Sequence, residues 1–190
     1  MSDPETILFI DEGYLSSISK FFGRGKPLKN YIEIFAQKLA RERKLLCKKI
    51  YFYTAPPYQS PKPTREENER KAKYDFFITK LKSVKLEIVI REGRCQKDEK
   101  GQFHQKGVDT LLTMDLLKIA QKKEISAIIL LTSDTNFVPI IQDIRAEHKI
   151  KVILAYFTDR KRKSSLSLSN HLWQACDEKI LVRKEHFGIV

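Results

Sequence analysis

The strongest constraint on this fold is an alternation between two kinds of apolar pattern. Short, nearly continuous apolar runs recur at 6–11 (TILFID), 49–54 (KIYFYT), 84–90 (VKLEIVI), 127–132 (AIILLT) and 151–157 (KVILAYF), with a weaker one at 180–183. Runs this apolar suit strands buried on both faces. Between them lie stretches of helical period at 29–46, 64–81, 109–121, 137–148 and 166–176. Strands alternating with helices of this length predict a mostly parallel sheet covered on both sides. The expected class is therefore α/β: a three-layer α/β/α sandwich of Rossmann-like type. No internal repeat or shift in composition marks a second unit, so one domain is expected over 1–190. Segments 16–27, 56–63 (PPYQSPKP) and 91–107 read as loops.

Charge narrows the partners. There are 36 Lys and Arg against 24 Asp and Glu, a net charge of +12, which favours a polyanion such as nucleic acid. A hydrophobic content of 42% excludes a wholly disordered chain. Cys47, Cys95 and Cys176 are widely spaced and form no CxxC pair. That usage, with no secretory leader in the opening residues, predicts a reducing, cytoplasmic setting. The apolar runs fall short of the about 20 residues that cross a bilayer, so no membrane partner is expected. Cys95 and His104 lack two further ligands at zinc spacing.

In open parallel sheets, ligands bind beyond the carboxyl ends of the strands. Acidic residues collect there. Asp11 ends the first apolar run, Asp134 follows the fourth, and Asp109 opens a helical stretch. A desolvated carboxylate is costly unless paired or metal-bound, and several together repel one another. A divalent cation resolves that conflict. Mg²⁺ and Mn²⁺ prefer hard oxygen ligands and can promote phosphodiester cleavage. Ordinary structural uses stand beside this one. Asp109 and Asp134 each precede a helical stretch and could cap it. Nothing helical is expected directly after Asp11, which makes capping a poorer account of it. Asp115 reads either as a solvated or hydrogen-bonded helix residue or as a further acid facing the same site, and Glu12 reads as a loop carboxylate.

Three segments in this order carry a resemblance: Ile10-Asp11; Lys106-Gly107-Val108-Asp109 running into DTLLTMDLLKIA; and Leu131-Thr132-Ser133-Asp134-Thr135-Asn136-Phe137-Val138-Pro139. Together they resemble the NYN domain family of PIN-like nucleases. The resemblance implies a PIN-like sandwich and an endoribonuclease dependent on Mg²⁺ or Mn²⁺, hydrolysing phosphodiester bonds in single-stranded or flexible RNA. By position, Asp11, Asp109 and Asp134 would hold the metal, with Asn136 in the catalytic set. Asp115 matches an acidic position common in the family's helix, and Lys106 a basic one. Two positions depart from the pattern: Tyr14 stands where Asn is common, and Asn136 where a second Asp is common. They motivate the alternative of a catalytically degenerate nucleic-acid-binding module.

If the site cuts RNA, or single-stranded DNA by the same chemistry, basic and aromatic side chains should flank it. Arg24, with Lys20 and Lys26, follows the first strand; Arg94 and Lys106 lie in the loop before Asp109; Arg160 follows the fifth strand. All three loops are expected at the carboxyl edge, where a basic rim would track phosphates. Tyr14, Tyr58 and Phe103 are aromatics among these residues, and Tyr58 is the best placed to stack an unpaired base. Phe21, Phe22 and Trp173 read as packing residues. Phe187, Ile189 and Val190 near the chain end offer a contact for a homo-oligomer. No serine elbow, Walker loop or Gly-x-Gly-x-x-Gly fingerprint appears.

Overall fold

The computed structural model describes residues 3–28, 31–159, 166 and 169–188. Arg160, Ile189 and Val190 lie outside the described residues. The expected α/β class is what the chain adopts. Strands β1 (Glu5–Asp11), β2 (Leu46–Thr54), β3 (Glu87–Glu92), β6 (Ala127–Leu131), β7 (Lys151–Tyr156) and β8 (Glu178–Leu181) form one sheet in the order β3-β2-β1-β6-β7-β8. Every pairing in it is parallel. The central strands are mostly apolar: Ile7 to Ile10 of β1 and Ile128 to Leu131 of β6 are all buried. Such strands are stable only when both faces are covered.

Alternation along the strands divides the core into two layers. Leu8, Ile10, Ile50 and Phe52 pack on one side against α1 (Glu12–Phe22), α2 (Ile32–Arg41) and the end of α3 (Arg65–Lys82). Ile7, Phe9, Tyr53, Ile128 and Leu130 pack on the other against α4 (Val108–Lys122), α5 (Val138–Asp143) and α6 (Asn170–Ala175). α3 begins on a capping box: the Thr64 hydroxyl accepts from the Glu67 amide while the Glu67 carboxylate accepts from the Thr64 amide. No helix among the described residues is long and apolar enough to cross a membrane.

Several sequence expectations need correction. Residues 16–27 are not a loop from the start, because α1 begins directly after Asp11 and runs to Phe22. The Asp11 carboxylate supplies the helix cap that the apolar pattern does not reveal. The stretch 29–46 holds a shorter helix, and Leu46 already belongs to β2. Segment 91–107 contains a separate hairpin, β4 (Arg94–Lys97) paired antiparallel with β5 (Phe103–Lys106). Its side chains are mostly exposed, so no apolar alternation announces it. Trp173 is 37% exposed and meets Tyr156 edge-on rather than filling the core. Phe187 is fully buried against Phe22 and Phe35, so it is not free to meet a second chain.

Candidate functional site

The chain order reverses at the middle of the sheet. From β1 it builds outward through β2 to β3, then returns beside β1 as β6 and builds the other way. The crevice at such a switch point is where parallel sheets hold ligands. Ile10 pairs with Leu131, so Asp11 and Thr132 leave the two central strands side by side. The Thr132 hydroxyl donates to Asp11 Oδ2 at 3.3 Å and accepts from the Asp134 amide at 3.2 Å. This bridge ties the Asp134 turn to the end of β1.

All three carboxylates sit at helix starts. Asp11 caps α1, accepting from the Tyr14 amide at 3.4 Å. Asp134 caps the short 3-10 turn Thr135–Phe137, accepting from the Asn136 amide at 2.8 Å. Asp109 is not a cap. Gly107 takes that place at φ 82, a left-handed conformation that favours glycine. Asp109 is the second residue of α4, exposed, and hydrogen-bonds to nothing among the described residues. Gly93 stands behind this entry, where a Cβ would come within 2.7 Å of the Lys106 carbonyl oxygen and of Val108. The chain can therefore close the hairpin against the start of α4 only with glycine there.

Electrostatics link the three acids. Burial pushes the Asp11 carboxyl above its ordinary value, and the Asp109 charge raises it further. Partial desolvation raises the carboxyl of Asp109, exposed as that residue is, with the Asp134 charge adding to the effect. Glu12 is raised by burial and by Asp11. Among the described residues no Lys, Arg or His forms an ion pair with Asp11, Asp109 or Asp134. Helix N-termini soften the repulsion but do not cancel it. Hard oxygen donors with no neutralising ion pair among the described residues suit a Mg²⁺- or Mn²⁺-type cation.

Other candidates fall differently. Tyr14 is buried, and its hydroxyl donates to the Phe157 carbonyl at 3.1 Å and accepts from the Phe157 amide at 2.8 Å. Its phenol, pushed up to about 12 mainly by burial, stays protonated. Tyr14 therefore joins α1 to the end of β7 instead of facing substrate. Arg24 lies past the end of α1, roughly 16 Å of helix from Asp11, and not in a loop beside it. Asp115 is 6% exposed, accepting from Arg91 Nε at 2.7 Å and from the Tyr53 hydroxyl at 3.1 Å. That removes it from the acid cluster and makes it a brace between α4 and strands β2 and β3. Arg94 and Lys106 pair across the hairpin and line a cavity of about 380 Å³ with Gln96 and Thr110, next to Asp109. Neither side chain has a hydrogen-bond or ion-pair partner among the described residues. The Asn136 side-chain amide lies 3.4 Å from Asp134 Oδ2. Sequence reading passed over Thr132, and it left Glu12 in a loop. The signal for both was position alone, directly after β6 and directly after Asp11. Among the described residues, the acidic and histidine side chains whose ligand atoms all lie within 4.8 Å of one another are Asp143, Glu147 and His148, just ahead of β7 at the opposite sheet edge; Asp11, Asp109 and Asp134 are not packed that closely.

Parallel sheet and switch point define a Rossmann-like domain with carboxylates at the carboxyl edge of its central strands. The chain belongs to the NYN domain family, whose profile matches residues 5–181, and whose members are generally nucleases. The fold is similar to the crystal structure of VPA0982, a protein of unknown function from Vibrio parahaemolyticus. The TM-score is 0.61 at 17% identity, over 98% of this chain and 96% of that one. No curated protein matches the sequence.

Proposed function

We propose that this protein is a metal-dependent endoribonuclease that hydrolyses phosphodiester bonds in single-stranded or flexible RNA. The observation that carries the reading is that the Asp109 charge raises Asp11 and the Asp134 charge raises Asp109 across the switch point, with no ion-pair partner for any of the three among the described residues. These three residues would hold Mg²⁺ or Mn²⁺, which supplies positive charge against the phosphate and makes a nearby water more acidic. Asn136 orients Asp134 through its backbone amide and side chain. Thr132 fixes the separation of Asp11 and Asp134. Arg94 and Lys106, without a partner among the described residues and lining a cavity at the entry to α4, suit the flanking phosphates of the strand.

The departure at Tyr14 does not reach the site, since that side chain is tied to Phe157. The departure at Asn136 removes one negative charge and leaves an amide oxygen. Labelled single-stranded RNA, single-stranded DNA and duplexes, incubated with Mn²⁺, Mg²⁺ or EDTA, test the reading. Cleavage of RNA that needs metal and is lost in a folded Asp134→Asn variant is the expected result. Salt-sensitive binding without cleavage under any metal would replace it with a degenerate nucleic-acid-binding module.

A further inference from the structure

The β4–β5 hairpin carries an aromatic surface that the acid cluster does not explain. Phe103 opens β5 and is 50% exposed. Its ring centroid lies 5.6 Å from that of Tyr58, which comes from the proline-rich segment after β2, with the planes tilted by 44°. Lys97, opposite Phe103 in the ladder, holds its ammonium 5.8 Å from the Phe103 centroid. Phe103 meets Tyr58 and still leaves half of its surface to water. Lys100, in the turn of the same hairpin, adds charge of the sign that attracts phosphates, while Arg94 and Lys106 pair on the opposite face of the ladder. β5 also runs straight into α4. Phe103 and Asp109 are six positions apart, a span of at most about 20 Å, or a few nucleotides of extended strand.

Resting on the nuclease reading, we propose that Phe103 and Tyr58 form a base-stacking subsite, with Lys97 beside it for the adjoining phosphate. It grips one unpaired base of an RNA strand whose backbone continues to the acid cluster. An aromatic face accepts any base, so the subsite selects for unpaired structure and not for sequence. A duplex keeps its bases stacked internally and gains nothing from the platform.

The experiment measures binding in EDTA, where cleavage cannot interfere. Fluorescein-labelled single-stranded RNA and the matching duplex are titrated with the protein and with folded Phe103→Leu and Tyr58→Leu variants. A single-stranded RNA carrying 2-aminopurine reports stacking by quenching. The expected result is a loss of about 5- to 100-fold in single-strand affinity for Phe103→Leu, little change for duplex, and weakened quenching. Phe103 is half exposed, so its removal leaves the core intact. Unchanged single-strand affinity and quenching in both variants, with metal-dependent cleavage retained, would overturn this inference and leave the nuclease reading standing. Loss of quenching without any cleavage by the parent protein would keep the subsite and remove the nuclease. Absence of all RNA binding by the parent protein would overturn both.

Discussion

Asp109 and Asp115 sit six residues apart on one helix, and their isosteric replacements should shift stability in opposite directions. Asp115 is held by the Arg91 guanidinium at 2.7 Å and the Tyr53 hydroxyl at 3.1 Å, and only 6% of it is exposed. Breaking a fully buried pair costs about 3–5 kcal/mol. Arg91 keeps 31% of its side chain in water, so a loss of about 2–4 kcal/mol is expected for Asp115→Asn. For a chain of this size that lowers Tm by roughly 4–16 °C. Asp109 is exposed, and its charge is opposed by Asp134. Asp109→Asn relieves repulsion, and a surface change of this kind stabilises by at most about 0.5 kcal/mol, or roughly 1–2 °C. Thermal unfolding followed by circular dichroism in EDTA at neutral pH reads both shifts. Adding Mg²⁺ or Mn²⁺ should raise Tm in the parent protein and in Asp115→Asn, and much less in Asp109→Asn. If Asp115→Asn raised Tm in EDTA and abolished the response to metal, Asp115 would be a member of the acid cluster and the brace assignment would be wrong.

Tyr14→Phe leaves the buried backbone amide and carbonyl of Phe157 without their partner, at about 1–3 kcal/mol per group. Denaturant titration should show the midpoint falling at unchanged m-value, while RNA affinity at a temperature where the variant is folded stays as in the parent. Asp11 carries a carboxyl raised by burial and then by Asp109, so the native state binds more protons than the unfolded state between the ordinary and the raised values. Stability in EDTA should therefore fall as pH climbs through that window and level off above it. A series of Tm values against pH should show a shallower fall in Asp11→Asn; an identical slope refutes the assignment. Arg94→Ala and Lys106→Ala should each reduce the dependence of log affinity on log salt for single-stranded RNA by about 0.7. Unchanged slopes would place the strand elsewhere.

How legible the protein was can be judged residue by residue. The apolar runs around Ile7 to Ile10 and Ile128 to Leu131 required strands buried on both faces, because no other element hides so many consecutive branched side chains. Asp11, Asp109 and Asp134 stood out since each follows or opens an apolar element. The hairpin was hidden because both its faces are polar, and α1 because its cap is the same Asp11 that ends the strand. Tyr14 and Asp115 were ambiguous for a common reason. A phenol or a carboxylate reads the same in sequence whether its partner is solvent, a ligand, or a group far along the chain. Tyr14 meets Phe157 across 143 positions, and Asp115 meets Arg91 across 24 and Tyr53 across 62.

The sequence by itself determined the parallel sheet, its two-sided burial and the presence of acids at strand ends, since these follow from local period and polarity. Only the tertiary structure decided which acids repel one another and which one is neutralised. Strand order, set by long-range packing, brings β1 beside β6, and so puts Asp11 next to Thr132, while the pairing of β2 with β3 sets Arg91 beside Tyr53 and both on Asp115.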